Sequence, residues 1–144
     1  MVHITGGGFY EKLKGGNRHH FERILMRRIK EKVSDFMDPD IKSKGGLLIM
    51  DITKEINDLN ETKKNDFLGR LRSKLLSVFG IDSISFALII KPNLSYIIDA
   101  APGFVEQFRR DRAIDTFKVE AKRSDKSFPA KSPEIASKVG AGIL

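Results

Sequence analysis

The 144-residue sequence contains no cysteine and no tryptophan, and it has no long apolar run. Without cysteine the chain can form neither a disulfide framework nor a thiolate metal site, and it cannot carry sulfur as a persulfide. No segment approaches the roughly 18 apolar residues that a membrane-spanning helix needs, and the first residues lack the order of a secretion signal, a charged region followed by an apolar one. We therefore predict a cytoplasmic protein.

The charged residues are biased toward the basic side. Lys and Arg total 26 against 19 Asp and Glu, which gives a net charge of +7 and a pI of about 9.7. This bias favours a nucleic acid or another anionic surface as partner, although many soluble proteins without such a partner are mildly basic. Hydrophobic residues make up 40% of the chain, enough for a packed core in one ordinary domain or two small ones.

The first 91 residues contain strand and helix patterns in a recognisable order. Apolar side chains recur at helical spacing in two segments. Asn17 precedes the first as a candidate N-cap, and Gly80 follows the second as a candidate C-terminal cap. The predicted elements are strands at 2–5, 41–44, 47–52 and 83–91 and helices at 18–33 and 61–79. The order strand, helix, strand, strand, helix, strand is the ferredoxin-like split arrangement.

The first predicted helix has a strongly basic face. Residues 11–33 carry eight Lys or Arg against three Glu, a net charge of +5. These side chains form either a solvated helix face or an RNA-facing one, and the pattern favours neither. His19 and His20 are adjacent, so they point in different directions on a helix and make a poor chelating pair.

The second unit is predicted to begin at Pro92 and Asn93. A helical pattern starts at Leu94 and ends near Arg112. Pro102 lies inside this pattern, and proline removes an amide donor and clashes with the preceding helical turn. We therefore expect the helix to be kinked or split there.

Residues 116–144 predict a strand, a basic turn and a helix in close succession. Phe117, Val119 and Ala121 alternate with charged residues over 116–122, the period of a strand with one buried face. A helix start follows at 132–134, where a serine, a proline and a glutamate suit the first turn. The segment between them, which we call the basic turn (122–131), carries four cations and an aromatic ring: Lys122, Arg123, Lys126, Lys131 and Phe128. Such a turn suits a polyanion.

Two motifs resemble one protein family. Residues 117–144, FKVEAKRSDKSFPAKSPEIASKVGAGIL, resemble the central segment of a THUMP domain, in the version found in tRNA 4-thiouridine sulfurtransferases of the thiamine-biosynthesis type. Residues 13–18, LKGGNR, resemble the LKGKNR turn near the start of the same enzymes, and Gly16 departs from it where the family usually has lysine. The order and spacing of the two motifs agree with the family's ferredoxin-like domain followed by THUMP.

The resemblance implies an α+β chain with two domains. A ferredoxin-like domain (βαββαβ) is expected at 1–82 and an α/β THUMP domain at 83–144, with the THUMP profile reaching back to about residue 60 as the alternative. Family members continue with further THUMP strands, so the second domain is expected to be C-terminally incomplete. The chain resembles either the front part of a larger protein or a natural short form.

The family's role implies that this chain binds tRNA. In the family these two domains grip the 3′ acceptor end and position a uridine for 4-thiouridine formation by a later catalytic domain. Cations would neutralise phosphates, and Phe128 would either stack on an unpaired base or lie tucked under the basic turn as core. The RNA-binding candidates are Lys14, Asn17, Arg18, Lys122, Arg123, Lys126, Phe128 and Lys131.

No catalytic, cofactor-binding or metal-binding residues are predicted. The family's catalytic phosphate loop, SGGxDS, does not occur, and the cysteine that some members use to carry sulfur is absent. The acidic residues lack the D-x-D-x-D-G spacing of a metal loop. ATP is therefore expected only for a catalytic domain that these residues do not contain, and an enzyme assignment would rest on that domain.

Two other functions are compatible with the sequence. A stand-alone THUMP adaptor would deliver tRNA to another modifying enzyme, although the LKGGNR turn argues against it. A protein-interaction scaffold would present its positive face to an acidic protein and its unfinished sheet edge to another chain. That edge also leads us to expect a homodimer through the second unit, or else local disorder after about residue 131.

Overall fold

The computed structural model describes residues 2–6, 16–44, 46–109, 113 and 115–144. The chain divides into two compact units, Met1–Leu88 and Ile89–Leu144. Each unit is described by itself.

The first unit is a four-stranded antiparallel sheet with helices, in the order β2-β3-β1-β4. Its elements are β1 (Val2–Gly6), α1 (Gly16–Val33), β2 (Asp40–Lys44), β3 (Leu47–Asp51), α2 (Thr53–Ile56), α3 (Glu61–Leu76) and β4 (Ile81–Phe86). The two central strands are β1 and β3, and β1 pairs with β4 on its other side. The predicted ferredoxin-like arrangement is confirmed, with the short helix α2 as an addition.

The core of the first unit lies between the sheet and the two long helices. The apolar faces predicted for α1 and α3 supply most of it, together with the inward residues of β3. The most buried side chains of this core are Leu25, Ile29, Val33, Leu48, Met50, Ile52, Leu71 and Leu75. Burial of these faces holds α1 and α3 on the sheet, because removing the apolar face of an amphipathic helix from water stabilises the folded chain.

Charged side chains join the ends of α1 and α3 at the surface. Lys74 Nζ lies 2.7 Å from Asp35 Oδ2, and Arg70 Nη2 lies 3.2 Å from the same oxygen. The two cations also lie over the ring of Phe36, at 5.4 Å and 4.9 Å from its centroid. The hydrogen bond from Lys74 is the main reason that the pKa of Asp35 is lowered from its ordinary value.

Several element ends differ from the sequence-based prediction. Helix α1 begins at Gly16, so Asn17 lies inside the helix and the prediction that it caps the helix is wrong. Helix α3 ends at Leu76 with Ser77 as its C-cap, three residues before the predicted end. Gly80 is therefore not the helix cap; it has φ +101° and forms the turn into β4, which ends at Phe86 instead of residue 91.

The second unit contains two packed helices, α4 (Leu94–Arg109) and α5 (Ser132–Ile143). Helix α4 continues through Pro102, so the predicted split is wrong. Proline cannot donate to the carbonyl four residues earlier, which is that of Ile98. Helix α5 approaches this carbonyl at Gly142, where a Cβ atom would lie 3.7 Å from the Ile98 oxygen and 3.0 Å from its Cγ2. The absent side chain of Gly142 therefore permits the two helices to pack closely.

The strand predicted at 116–122 is not formed. The segment has no regular secondary structure, and no described residue pairs with its backbone as a strand. Part of the predicted alternation is present, because Val119 and Ala121 are half-buried while Lys118 and Lys122 are exposed. The prediction that Phe117 also faces inward is wrong, since its side chain is exposed. A Cβ on Gly140 of α5 would lie 3.7 Å from Val119. The apolar residues thus pack on a helix, and without a neighbouring strand the ladder that defines β-structure cannot form.

Candidate RNA-binding surface

The side chain of Arg123 holds the basic turn together by hydrogen bonds to its backbone. Its Nη1 donates hydrogen bonds to the carbonyl oxygens of Phe128 at 3.2 Å and Ala130 at 3.1 Å. The residue is partly buried, and Ala130 is buried. A planar guanidinium can donate to several acceptors at once, so one side chain joins the beginning of the turn to its end.

A second interaction shapes the tip of the same turn. The Ser127 amide donates to Asp125 Oδ1 at 2.8 Å, the local pattern of an Asx turn. Hydrogen bonds from the Ser127 side chain and amide lower the pKa of Asp125 from its ordinary value. The Asp125 carboxylate is therefore engaged in a hydrogen bond within the turn, and this bond holds the backbone next to Lys126.

The three lysines of the basic turn point outward. Lys122, Lys126 and Lys131 are all exposed, and no hydrogen bond or ion pair of their side chains is found among the described residues. Phe128 is half-buried, and this burial does not decide between a ring that stacks on an unpaired base and a ring tucked under the basic turn as core. Of the predicted candidates in the basic turn, the lysines are available to a polyanion, whereas Arg123 is occupied by backbone carbonyls.

An apolar cavity of about 490 Å³ lies beside the basic turn within the second unit. Phe128 is at its wall, together with residues 119–125. Apolar side chains from α4, α5 and residues 116–123 form much of the remaining wall: Ile97, Val119, Ala121, Ile135 and Val139. The cavity places an apolar space next to Lys122, a combination that the sequence pattern does not predict.

The candidates of the LKGGNR motif lie in the first unit. Lys14 is outside the described residues, and Asn17 is exposed on the first turn of α1. The Arg18 side chain is 41% exposed, and its Nε lies 3.5 Å from Glu22 Oε1. Glu22 is only 5% exposed, and His19 Nδ1 lies 3.8 Å from its other oxygen. The Arg18 to Glu22 spacing of four residues is the sequence signal that could have indicated this pair.

The basic face of α1 is solvent-exposed along its length. Its cations are Arg23, Arg27, Arg28, Lys30 and Lys32. Arg27 Nε lies 3.9 Å from Glu31 Oε1, an exposed pair of the kind that contributes little to stability. The face therefore remains strongly positive and accessible.

Neither a metal centre nor a membrane span is found in the part of the chain that the structure describes. There, no three or more His, Asp or Glu side chains group as potential metal ligands. None of the described helices combines the length and the apolar character needed to cross a bilayer.

Comparison with known families identifies the chain. Residues 12–85, which are 74 of the 144 residues, match the model of the ThiI ferredoxin-like domain. The chain belongs to the ThiI ferredoxin-like family. Residues 95–144 match the THUMP domain model. The family resemblance inferred from residues 13–18 and 117–144 is thereby confirmed, as is the order of a ferredoxin-like domain followed by THUMP.

Similar proteins from several bacteria share the name probable tRNA sulfurtransferase. A probable tRNA sulfurtransferase of Thermoanaerobacter sp. (strain X514) is 36% identical over 132 residues, which are 92% of this chain and 30% of the relative. A probable tRNA sulfurtransferase of Lachnoclostridium phytofermentans is 35% identical over 133 residues, 92% of this chain and 31% of the relative. The chain thus spans about 30% of the length of these relatives.

Two solved structures are similar to the whole chain. A crystal structure of a 4-thiouridine synthetase–RNA complex with bound ATP matches with a TM-score of 0.72 and 25% identity, over 99% of this chain and 32% of that chain. The crystal structure of PH1313 from Pyrococcus horikoshii Ot3 matches with a TM-score of 0.71 and 30% identity, over 99% of this chain and 43% of that chain.

Proposed function

We propose that this chain is the tRNA-binding part of a 4-thiouridine sulfurtransferase and that it grips the 3′ acceptor end of tRNA. The observation that carries the proposal is the basic turn, which holds three exposed lysines and a half-buried phenylalanine within the THUMP match. Relatives named tRNA sulfurtransferase and the likeness to a 4-thiouridine synthetase in complex with RNA support it.

The grip works mainly through charge. Lys122, Lys126 and Lys131 neutralise backbone phosphates, and release of the condensed counterions drives binding with little reading of sequence. An exposed single-stranded end adds bases that can contact an aromatic ring, which is how proteins commonly distinguish unpaired RNA from a duplex. The combination selects a tRNA by the presence of its unpaired end, and the grip then holds a uridine at a fixed distance for modification.

The first unit contributes a second set of contacts. Lys14, Asn17 and Arg18 belong to the motif that the family shares near its start, and the exposed cations of α1 extend the positive surface beyond Arg18. Arg18 keeps part of its side chain exposed while Glu22 orients it. We assign these residues to phosphate contacts outside the acceptor end.

The chemistry of thiolation belongs to a domain that residues 1–144 do not supply. ATP is bound in the structure of the related 4-thiouridine synthetase, and we propose that ATP is used by a catalytic domain that acts on the tRNA held here. This chain then contributes binding and distance, and we expect it to show neither ATP hydrolysis nor sulfur transfer by itself.

The acceptor-end grip is tested by binding two forms of the same tRNA. Fluorescence anisotropy at constant salt compares tRNA with an intact single-stranded 3′ end and tRNA trimmed of that end. We expect the intact form to bind several-fold more tightly, because one stacked base contributes about 1–3 kcal/mol. Equal affinity for the two forms would overturn the grip, and no binding to either would overturn the assignment to RNA.

The assignment to a sulfurtransferase is tested by a chimera. Residues 1–144 replace the corresponding segment of the Thermoanaerobacter relative, and 4-thiouridine in tRNA is measured by mass spectrometry. Retained thiolation, which falls when Lys122 and Lys126 are both changed to alanine, is the expected result. A chimera that folds and binds tRNA but thiolates none would instead favour an adaptor for another modifying enzyme.

A further inference from the structure

The side chain of Glu22 is buried near the start of α1. Glu22 is only 5% exposed, the lowest exposure of any charged residue in the part of the chain that the structure describes. A buried carboxylate needs a charged or hydrogen-bonding partner, because removing an unpaired charge from water is costly. Arg18 lies one helical turn earlier, and its Nε is 3.5 Å from Glu22 Oε1. The buried carboxylate therefore restricts where the Arg18 guanidinium can lie.

The same guanidinium reaches the turn between β2 and β3. Gly46 in this turn has φ +84°, and a Cβ atom added to it would collide with Arg18 Nη2. With any other residue at this position the backbone would be strained, and the guanidinium would have to move. Arg18 thus joins the first turn of α1 to the β2–β3 turn, while its side chain stays 41% exposed to solvent.

Lys44 adds a second cation at this turn. It lies two residues before Gly46, it is exposed, and no hydrogen bond or ion pair of its side chain is found among the described residues. Leu47 is its cross-strand partner, and the next residue of β3, Leu48, is buried in the core. Because successive strand residues point to opposite faces of a sheet, Lys44 lies on the face turned away from the core. Arg18 comes from the helix side, so the two cations approach the turn from its two sides.

The acidic residues of β2 and β3 lie at the opposite ends of these strands. Asp40 and Asp51 are cross-strand partners there, about 13 Å from Lys44 at the usual rise of a strand. Asp40 Oδ2 lies 3.3 Å from Lys42 Nζ. Asp51 accepts a hydrogen bond from the Thr53 amide at 2.9 Å. The turn end of the two strands therefore favours an anion.

We propose that Arg18 and Lys44 together bind one backbone phosphate of double-stranded RNA at the β2–β3 turn, with Glu22 as the positioning residue. A planar guanidinium binds phosphate oxygens in a defined geometry, and a lysine adds a point charge. A guanidinium that is already held in place loses less freedom on binding, and this is the contribution of Glu22.

The composition of the site indicates which part of the RNA it contacts. None of the side chains that form it offers an aromatic face to an unpaired base, so its ligand is the backbone of a duplex. The inference rests on the proposed tRNA-binding function and deepens it, because it assigns a duplex contact to the β2–β3 turn of the first unit.

The charge of Glu22 gives the first test its direction. Glu22→Gln keeps the size of the side chain and makes the protein more positive, so nonspecific attraction would strengthen RNA binding. If Glu22 positions Arg18, the variant should instead bind a blunt RNA duplex several-fold more weakly. The same change in an Arg18→Ala background should no longer weaken binding, because no guanidinium remains to be held. Weakening that persists without Arg18 would show a merely structural role and overturn the assignment of Glu22.

Lys44→Ala tests the second cation. Fluorescence anisotropy with the same duplex should show roughly tenfold weaker binding at low salt. The slope of log affinity against log salt concentration should fall by about 0.9. Lys54→Ala is the matched control, because Lys54 is exposed and lies just beyond Asp51, at the opposite end of β3. Equal losses in the two variants would mean that these lysines act only through net charge, and would overturn the site.

NMR of the wild-type chain keeps the proposal testable if a variant does not fold. The duplex should shift the Arg18 Nε–H signal and the backbone amide signals of Lys44 and Leu47. If the wild type binds tRNA but these signals do not move, the site is wrong while the tRNA-binding function stands. If the wild type binds no RNA, that function itself fails.

Inorganic phosphate is the second probe, because a free anion could use the same two cations. At equal ionic strength it should shift the Arg18 and Lys44 signals much less than the duplex does. Full shifts with inorganic phosphate and none with the duplex would assign the pair to a free phosphate and overturn the RNA contact.

Discussion

The guanidinium of Arg123 lies 3.1 Å from the carbonyl oxygen of Ala130, seven residues further along the chain. Because the same Nη1 also donates to Phe128, Arg123→Ala removes both hydrogen bonds that close the basic turn. Hydrogen bonds to charged groups contribute about 1.5–3 kcal/mol each, so we expect this variant to lose a similar amount of stability in total, since the two bonds share one donor. Thermal unfolding measures the loss, and amide exchange should accelerate at 126–130. Lys122→Ala, which removes a nearby cation without internal bonds, is the control and should unfold like the wild type.

Lys126→Ala should change the salt dependence of RNA binding. Its side chain is exposed and has no partner among the described residues, so it is free to neutralise one phosphate. The slope of log affinity against log salt concentration should then fall by about 0.9 for a duplex or about 0.7 for a single strand. The control is Lys54→Ala, at an exposed position of α2 in the first unit. An unchanged slope for Lys126→Ala would mean that this lysine is only solvated.

Two glycine-to-alanine substitutions should have opposite effects on stability. Gly80 has φ +101°, and a Cβ there would lie 3.1 Å from the ring of Phe21, so Gly80→Ala should cost more than about 1 kcal/mol. Gly69 lies in α3 with nothing within 4 Å of its missing Cβ. Gly69→Ala should therefore stabilise by up to about 1 kcal/mol through helix propensity. Urea unfolding of both variants measures the difference, and a stabilising Gly80→Ala would contradict the assigned turn.

Two leucines of α3 test the position of the core. Leu71 is fully buried, whereas Leu76 is 45% exposed on the same helix. Leu71→Ala should lose about 2–5 kcal/mol because it leaves a cavity as well as removing buried apolar surface. Leu76→Ala should lose much less, since its side chain is already half in water. Similar losses at the two positions, measured by urea unfolding with circular dichroism, would show that α3 is rotated from its assigned orientation.

The Asp35–Lys74 ion pair should contribute to stability only above acidic pH. The pKa of Asp35 is lowered, first by the hydrogen bond from Lys74. A carboxyl with a lowered folded-state pKa adds stability above its unfolded pKa of about 3.9 and loses it as the pH falls through the folded value. Asp35→Asn should therefore lower the melting temperature at pH 7 and make no difference at the lowest pH at which both proteins fold. A difference that persists at low pH would show that the amide disturbs packing around Phe36 instead.

Hydrophobic periodicity predicted most of the first unit correctly. The buried positions of α1 and α3, such as Leu25 and Leu71, follow from the spacing of apolar residues, because that spacing determines which face of a helix leaves water. Helix ends were less predictable. They depend on local backbone geometry. Gly80, for example, has a positive φ and lies in the turn into β4, not at the end of α3.

The second unit was harder to predict, because the alternation of apolar and charged residues at 116–122 is compatible with two different structures. Alternation at 116–122 predicted the half-burial of Val119 and Ala121 but not the exposure of Phe117, and it does not show whether the inward side meets a strand or a helix. In this case Val119 packs on α5, and no strand forms. The basic residues were recognised as a group, yet sequence alone could not separate Arg123 from its neighbours. Its carbonyl acceptors lie five and seven residues away, in a turn without a regular repeat.

The close approach of Gly142 to Ile98 favours one register of α5 along α4. A Cβ at 142 would lie 3.0 Å from Ile98 Cγ2, so a larger residue there would have to displace the Ile98 side chain beside the carbonyl that Pro102 leaves without its helical donor. Sliding α5 by one helical turn so that Lys138 replaces Gly142 would bring a long side chain to that point. Pro102 and Gly142, forty residues apart in the sequence, thus favour the register in which the glycine of α5 lies beside Ile98 of α4.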